Sequence, residues 1–213
     1  MLVSGAVLLI LPQPPTIEGD ERPTHLERLW FHFTGTQPAK APDVVYVPTP
    51  QPVVDRMLEL AELKPDDVLY DLGCGDGRFV VTAARRYGVR AVGVDINPQR
   101  VVDSRRNAKR AGVESLVTIK QADIFELDIS DATVVTLYLL PELNVRLMPK
   151  LARLQPGARI LSFEFDMRGA LPETVLEIPT TNRSDPYRVF RWIVPWQPEP
   201  VPPPASGPPS RGR

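Results

Sequence analysis

The stretch that decides the fold reads VLYDLGCGDGR and occupies residues 68–78. A short apolar run contains the acidic residue Asp71 near its end and leads directly into Gly73, Gly75 and Gly77. This order is typical of a parallel strand that ends in a glycine-rich turn and continues into a helix. Glycine suits such a turn because a side chain would keep the backbone away from a ligand, and because some turn positions require a positive φ.

The glycine turn does not identify its ligand by itself. In the dinucleotide-binding fingerprint the third glycine follows the second by three positions, whereas Gly77 follows Gly75 by two. Asp71 would also repel a pyrophosphate, whereas it would attract a cation. The turn therefore favours a positively charged ligand over a dinucleotide.

Two further acidic residues follow the next two predicted strands. The strand at residues 91–95 ends at Asp95, and the strand at residues 116–120 leads into Asp123 and Ile124. Each acid alone is more often a turn or cap residue. Because the carboxyl ends of parallel strands share one edge of a sheet, we expect all three acids to meet beside the glycine turn. There Asp95 can accept hydrogen bonds from a ribose diol, and Asp123 with Ile124 can bond an adenine amino group and cover its face.

The motifs DLGCGDGR, VGVDINP and QADIF resemble motifs I, II and III of the class I (seven-strand) S-adenosylmethionine-dependent methyltransferases. The resemblance implies that Asp71 and the turn at residues 73–77 flank the methionine portion of the cofactor, S-adenosylmethionine. It implies that Asp95 holds the ribose hydroxyls. It also implies that Asp123 and Ile124 border the adenine.

A narrower resemblance comes from YVPTP at residues 46–50, from VVDRML after it and from LYLLPELN after the fourth strand. These segments resemble the small lysine methyltransferase family that includes the ATP synthase c-subunit lysine methyltransferase and its bacterial relatives. In that family the YVPTP segment packs over the cofactor. Tyr46 and Thr49 are therefore candidate cofactor contacts.

The end of the fourth strand departs from one group of amino-directed methyltransferases. Enzymes that methylate bases or glutamine usually carry Asn/Asp-Pro-Pro-aromatic here, whereas residues 138–142 read YLLPE. This difference argues against adenine-N6 and glutamine methylation. Tyr138 and Glu142 are candidates for lining the entry of an amine substrate, with Glu164 and Asp166 as alternatives. Glu142 has a second interpretation, as an acid favoured by the dipole of a helix's first turn.

Residues 43–194 are predicted to form one methyltransferase domain in which strands and helices alternate. Strands are predicted at residues 68–72, 91–95, 116–120, 133–140 and 159–165, followed by a final pair at 174–178 and 187–194. This pattern predicts an α/β fold, a Rossmann-like open, mostly parallel twisted sheet with helices on both faces and a C-terminal antiparallel strand pair. Residues 166–172 leave no room for the usual long helix, so the topology of that edge stays open.

The two ends of the chain have a different composition. Residues 1–42 contain an apolar run from Leu2 to Leu11, a short predicted helix and a linker. The run is too short to span a bilayer as a helix, and a signal-peptide core, a membrane anchor and a wrongly chosen start codon are alternative interpretations. Residues 195–213 contain eight prolines in nineteen residues and are predicted to be an extended, disordered tail.

Composition excludes several classes of function. With 25 basic and 26 acidic residues the net charge is −1, so a nucleic-acid partner held by overall charge is not expected. One cysteine and two histidines exclude a disulfide framework, and no metal site is predicted. Cys74 is interpreted as a small residue in a tight turn rather than a nucleophile. Basic residues on the helix after Asp95 are interpreted as a solvated face.

The sequence therefore predicts a methyltransferase that uses S-adenosylmethionine to methylate a lysine amine of a protein. A small-molecule methyltransferase and a cofactor-binding domain without turnover are the alternatives. The partner is accordingly a protein or a small molecule. A cytoplasmic location is expected because the cofactor is made inside cells; membrane contact or export would follow if the run from Leu2 to Leu11 is an anchor or a signal.

Overall fold

The computed structural model describes residues 46–199. The predicted apolar run, N-terminal helix and linker, and the chain beyond residue 199, lie outside the described residues. In chain order the elements are α1 Gln51–Leu60, β1 Val68–Leu72, α2 Arg78–Tyr87, β2 Arg90–Asp95, α3 Pro98–Arg110, β3 Val117–Gln121, β4 Val134–Leu137, α4 Pro141–Leu151, β5 Arg159–Phe163, β6 Ala170–Leu171, β7 Thr174–Ile178, β8 Tyr187–Ile193 and β9 Gln197–Pro198. Within this part of the chain no helix combines the length and apolar character needed to cross a membrane.

Seven strands form one sheet in the order β3-β2-β1-β4-β5-β8-β7. The pairs among β1 to β5 are parallel, whereas β8 runs antiparallel to both of its neighbours, β5 and β7. The predicted mostly parallel sheet with a C-terminal antiparallel pair is therefore confirmed. β2 and β4 lie on opposite sides of β1, so the connections that follow β1 and β4 run in opposite directions. This divergence leaves a crevice between the carboxyl ends of β1 and β4.

Helices cover both faces of the sheet, as predicted. On one face α1, α2 and α3 contribute a continuous apolar layer, made of Val53, Val54, Met57, Leu58, Phe79, Val80, Ala83, Ala84, Val101 and Ala108. The other face is covered by α4, through Leu147 and Leu151, and by the segment at residues 122–132. Because β1 is buried on both faces at every position, its sequence reads as an apolar run rather than an alternating pattern.

The connection from β5 to β7 contains no α-helix. Residues 164–173 are irregular except for β6, and they cover the sheet with the buried side chains of Met167 and Ala170. The Trp192 indole Nε1 donates to the carbonyl oxygen of Ala170 at 2.9 Å, which fixes this segment on β8. The edge left open by the sequence is thus resolved, with β8 inserted between β5 and β7.

Ordered structure extends further than the predicted domain end at residue 194. β9 lies within the stretch predicted to be a disordered tail, and it pairs antiparallel with β6. The backbone N–H of Glu199 donates to the carbonyl oxygen of Gly169 at 3.1 Å, and Trp196 packs partly buried against the core. The physical reason is that β6 requires a partner strand and that Trp196 has apolar surface to bury. The prediction of a disordered tail rested on the number of prolines and took neither effect into account.

Candidate functional site

A cavity of about 320 Å³ lies at the carboxyl edge of the sheet, where β1 and β4 diverge. Its volume suits a small organic ligand. The residues predicted from the sequence that line this cavity are Tyr46, Thr49, Asp71, Gly73, Asp95, Asp123, Ile124 and Tyr138. Residues selected from five separate stretches of sequence are therefore brought together around one space.

Gly75 and Gly77 do not line the cavity, but they shape its wall. Both have positive φ, +55° and +78°. A Cβ atom on Gly75 would lie 2.2 Å from Cε2 of Tyr46, and one on Gly77 would lie 3.0 Å from Cβ of Ser104. Glycine is thus required at these positions by close approach of neighbouring segments as well as by backbone conformation.

Glu142 does not line the cavity either. It lies exposed in the first turn of α4, whereas the next residue, Leu143, reaches the cavity. This position matches the helix-dipole interpretation of Glu142. The two candidates for lining the entry of an amine substrate are thus separated, with Tyr138 at the cavity wall and Glu142 outside the cavity.

Asp71 is a buried acid at the end of β1, only 4% exposed. Its Oδ1 accepts a hydrogen bond from Thr136 Oγ1 at 2.8 Å, and no ion pair involves it within residues 46–199. Burial is the main cause that raises the pKa of Asp71 to about 7; the hydrogen bond from Thr136 opposes the rise, the charges of Asp95 and Asp76 add to it, and Arg78 opposes it. A cationic ligand at this position would stabilise the ionised form.

Asp95 connects the end of β2 to the two segments beside it. Its Oδ2 accepts from the backbone N–H of Gly75 at 2.8 Å, and its Oδ1 accepts from the backbone N–H of Asn97 at 2.9 Å. Asn97 in turn caps α3 by accepting from the N–H of Gln99 at 2.8 Å. One carboxylate therefore fixes the glycine turn and the start of α3 at the cavity wall.

Asp123 organises the loop after β3. Its Oδ1 accepts from the backbone N–H of Phe125 at 2.9 Å. From α4, Lys150 Nζ donates to the carbonyl oxygens of Ile124 and Leu127 at 2.9 and 2.7 Å. This support holds Ile124 and Phe125 at the cavity, where they supply an apolar wall.

Sequence reasoning missed a link between the glycine turn and the YVPTP segment. Arg78 donates to both oxygens of Asp76, from Nε at 2.9 Å and from Nη2 at 2.7 Å, and it also donates to the carbonyl oxygen of Thr49. Burial disfavours ionisation of Asp76, yet the hydrogen bonds and charge of Arg78 hold its pKa below the ordinary value. The spacing of Asp76 and Arg78 was visible in the sequence; their connection to Thr49 depends on tertiary structure.

Tyr46 covers the glycine turn. The guanidinium carbon of Arg100 lies 4.8 Å from the centre of its ring, and the ring contacts the position where a Gly75 side chain would be. Burial raises the pKa of Tyr46, and Asp76 adds to the rise. Arg100 belongs to the basic run predicted to be a solvated face, but it lines the cavity. The other members are exposed: Arg105, Arg106, Lys109 and Arg110.

Polar side chains of α3 hold the glycine turn from behind. Ser104 Oγ lies 2.7 Å from the carbonyl oxygen of Gly75, and Asn107 Nδ2 donates to the carbonyl oxygen of Asp76 at 2.9 Å. The sequence analysis predicted neither contact. The pattern that could have indicated them is a pair of polar residues, Ser104 and Asn107, three positions apart on the side of α3 that is otherwise apolar and faces the core. Cys74 packs 3.7 Å from Ser104, and burial raises the pKa of its thiol well above the ordinary value, as expected for a packing residue.

The residues around the cavity fit S-adenosylmethionine, the cofactor implied by the resemblance. A sulfonium and an ammonium group require negative charge, which Asp71, buried and in no ion pair with another described residue, supplies when it is ionised. A ribose diol and an adenine amino group require acceptors, for which Asp95 and Asp123 are placed, and the adenine ring requires an apolar wall such as Ile124. Within the described part of the chain no group of His, Cys, Asp and Glu residues could hold a metal ion.

Comparison with known sequences places the chain among methyltransferases. A family model described as the ANTKMT methyltransferase domain matches residues 71–174. The protein-lysine N-methyltransferase of Saccharolobus islandicus is 45% identical over 155 residues, which are 72% of this chain and 95% of that protein. The adenine nucleotide translocase lysine N-methyltransferase of Mus musculus is 35% identical over 135 residues, 62% of this chain but only 58% of the mouse protein.

A solved structure agrees in fold and in sequence. It is described as an RNA methyltransferase from Salinibacter ruber in complex with S-adenosyl-L-homocysteine. It is 50% identical to this chain with a TM-score of 0.65, and the match covers 75% of this chain and 99% of that one. These similar proteins are thus all described as methyltransferases but carry two descriptions of the methyl acceptor, lysine and RNA.

Proposed function

Because the chain belongs to the class I S-adenosylmethionine-dependent methyltransferases, in the family that contains protein-lysine N-methyltransferases, we propose that it methylates the side-chain amine of a lysine in a protein. The observation that carries this proposal is the convergence of Asp71, Asp95 and Asp123 with Tyr138 on one cavity. It occurs in a chain 45% identical to nearly the whole length of a lysine methyltransferase.

The reaction is an in-line displacement, and the cofactor supplies an electrophilic methyl group on a positively charged sulfur. With the cofactor bound, the lysine nitrogen would form a bond to the methyl carbon as the carbon–sulfur bond breaks, and the electron pair of that bond would stay on sulfur to leave S-adenosylhomocysteine. The lysine must arrive as a neutral amine, so its proton passes to solvent first. The protein therefore needs to position the reactants and exclude water, and it needs no catalytic triad. Positioning can lower the activation barrier by about 7–11 kcal/mol.

The cofactor-binding roles follow the order of the strand ends. In this proposal Asp71 and the turn at residues 73–77 hold the methionine portion, Asp95 holds the ribose, and Asp123 with Ile124 holds the adenine. Tyr46 and Thr49 cover the cavity on the side of the YVPTP segment. Arg78 supports this arrangement because it donates hydrogen bonds both to the carbonyl oxygen of Thr49 and to Asp76 in the glycine turn.

Tyr138 is proposed to line the path of the amine. It is half-buried at the cavity wall, between Leu139, which also lines the cavity, and the stacked ring of Phe165. Apolar surroundings disfavour an ammonium ion, so they help the lysine to lose its proton before transfer. No such argument supports Glu142, which lies outside the cavity.

RNA methylation is the second candidate, because the Salinibacter relative is described as an RNA methyltransferase. The exposed basic residues of α3 are the feature of this chain that would suit a phosphate backbone, namely Arg105, Arg106, Lys109 and Arg110. Against it stand the net charge of −1 and the sequence YLLPE after β4.

The test is a transfer assay with radiolabelled S-adenosylmethionine and a cell lysate, separated afterwards into protein, RNA and small-molecule fractions. We expect label in protein, on lysine residues that gain the mass of a methyl group. Asp95→Ala should lose the label and bind cofactor at least tenfold more weakly, whereas Asp66→Ala, an exposed acid in a turn, should behave as the wild type. Label confined to RNA or to small molecules would overturn the proposal.

A further inference from the structure

Aromatic side chains continue from the cavity towards the protein surface. We use the name aromatic lip for Tyr138, Phe163, Phe165 and Tyr187. Tyr138, at the cavity wall, lies 4.6 Å from Phe163 between ring centres and stacks on Phe165 at 6.3 Å. Phe163 is buried and contacts Tyr187 edge-on at 5.4 Å, so contacts between rings connect Tyr138 at the cavity wall to the half-buried Tyr187.

A cation of the protein itself occupies the outer end of the aromatic lip. The guanidinium carbon of Arg183 lies 4.5 Å from the centre of the Tyr187 ring. Arg183 Nη2 also lies 2.8 Å from Oε1 of Glu164. An aromatic face and a carboxylate together are the two features that hold an alkylammonium ion in proteins.

Glu164 is held in place by the backbone rather than by its cation. It follows β5 directly and has a φ of +66°, a left-handed conformation that glutamate seldom adopts. Its backbone N–H donates to the carbonyl oxygen of Arg188 at 2.7 Å, which secures this turn against β8. The backbone of Glu164 is therefore held at the aromatic lip by contacts that do not involve Arg183.

Arg183 is the exchangeable partner of this pair. Its side chain is 39% exposed, whereas that of Glu164 is 16% exposed. Arg183 belongs to the irregular segment between β7 and β8, and its other hydrogen bonds go to carbonyl oxygens of Asp185 and Pro186 in the same segment. An exposed ion pair contributes little to stability, so another cation can replace Arg183 at low cost.

We propose that Glu164 and Tyr187 form the entry site for the ammonium group of the substrate lysine, and that Arg183 occupies this site until the substrate displaces it. The inference rests on the proposed lysine methylation and adds the residues that select the acceptor. From the entry site the alkyl chain reaches the cavity along Tyr138. Glu164 would repel a phosphate, so this site favours a lysine over an RNA acceptor.

The test uses the full-length protein, poly-L-lysine as the acceptor and radiolabelled S-adenosylmethionine, with KM and kcat measured separately. Arg183→Ala removes the competing cation, so we expect KM for poly-L-lysine to fall about three- to tenfold while kcat changes less than about twofold. Glu164→Gln should raise KM about tenfold. The matched controls, Arg168→Ala and Glu177→Gln, remove the same charges from exposed positions that are not part of the aromatic lip or of the Arg183–Glu164 pair.

Affinity for S-adenosylhomocysteine, measured by calorimetry, shows whether each variant retains a folded cavity. If wild-type protein methylates poly-L-lysine but Arg183→Ala and Glu164→Gln match their controls, the entry site is wrong and the proposed function stands. If Arg183→Ala raises KM, Arg183 assists the substrate instead of competing with it, and the inference is likewise overturned. If wild-type protein labels RNA but not poly-L-lysine, the proposed function itself fails.

Discussion

Asp71 shows how one residue can make cofactor binding depend on pH. Its pKa of about 7 means that it holds a proton in the empty protein below neutral pH, whereas the positively charged cofactor favours the ionised form. We therefore expect the affinity for S-adenosylhomocysteine, which keeps the ammonium group, to rise up to about tenfold per pH unit below pH 7 and to level off above it. Calorimetric titration between about pH 6 and pH 8 measures this.

The variant Asp71→Asn separates this explanation from others. Asparagine can still accept from Thr136 but cannot ionise, so its affinity should be lower at pH 8 and almost independent of pH. In the wild type the folded protein keeps the Asp71 proton at pH values where the unfolded chain has lost it, so stability falls as pH rises from about 4 to about 7. Asp71→Asn should thus increase the free energy of unfolding more at pH 8 than at pH 5. An unchanged pH dependence of affinity would show that another group controls it.

At the scale of residues, the sequence predicts those side chains whose position follows from a strand end. Asp71, Asp95 and Asp123 each stand at or just after the end of a parallel strand, so topology alone brings them together. Arg78 and Arg100 were missed as cavity residues because their directions depend on the partners they find, Thr49 and Tyr46, which lie far away in the chain. Sequence separation hides such pairs.

At the scale of elements, the glycine turn and α3 act as one unit. Gly77 has the same left-handed conformation as Gly88, φ +78° against +70°, but only Gly77 is packed against α3. Substitution by alanine should cost each position about 1–2 kcal/mol for backbone conformation. Gly77→Ala should lose roughly another 1–3 kcal/mol because its Cβ meets Ser104, where the backbone lies 3.3 Å away.

Urea unfolding of Gly77→Ala and Gly88→Ala measures this difference. Gly77→Ala should also bind S-adenosylhomocysteine more weakly, whereas Gly88→Ala, with nothing within 4 Å of its added Cβ, should bind normally. Equal losses of stability in the two variants would mean that α3 can move aside and does not hold the turn.

Most strands of the large sheet were predicted within a few residues, and local signals also mark where helices begin. Asn97 caps α3 with Pro98 at its first position, as its sequence indicates. β4 is shorter than predicted, Val134–Leu137 rather than residues 133–140, since an apolar run does not show where pairing stops and the cavity wall begins. β6 and β9 were missed because two-residue strands depend on tertiary pairing and have no local pattern.

At the scale of the whole molecule, β9 lies outside the seven-stranded sheet and forms a separate two-stranded sheet with β6. A chain that stops after Glu199 keeps the β6–β9 pair and Trp196, whereas a chain that stops after Val194 loses both. We expect the shorter chain to be less stable by roughly 1–3 kcal/mol in urea unfolding. The chain ending at Glu199 should match the full-length protein, because the residues beyond it are predicted to form a disordered tail. Equal stability of the two truncated chains would show that β9 contributes nothing.

The irregular connection between β5 and β7 takes part in two separate features of the protein. It begins at Glu164, beside the aromatic lip, and it includes β6, which pairs with β9 near the end of the described chain. Through the β6–β9 pair, the end of the described chain is therefore anchored to the same connection that carries Glu164, the carboxylate proposed to meet the incoming lysine.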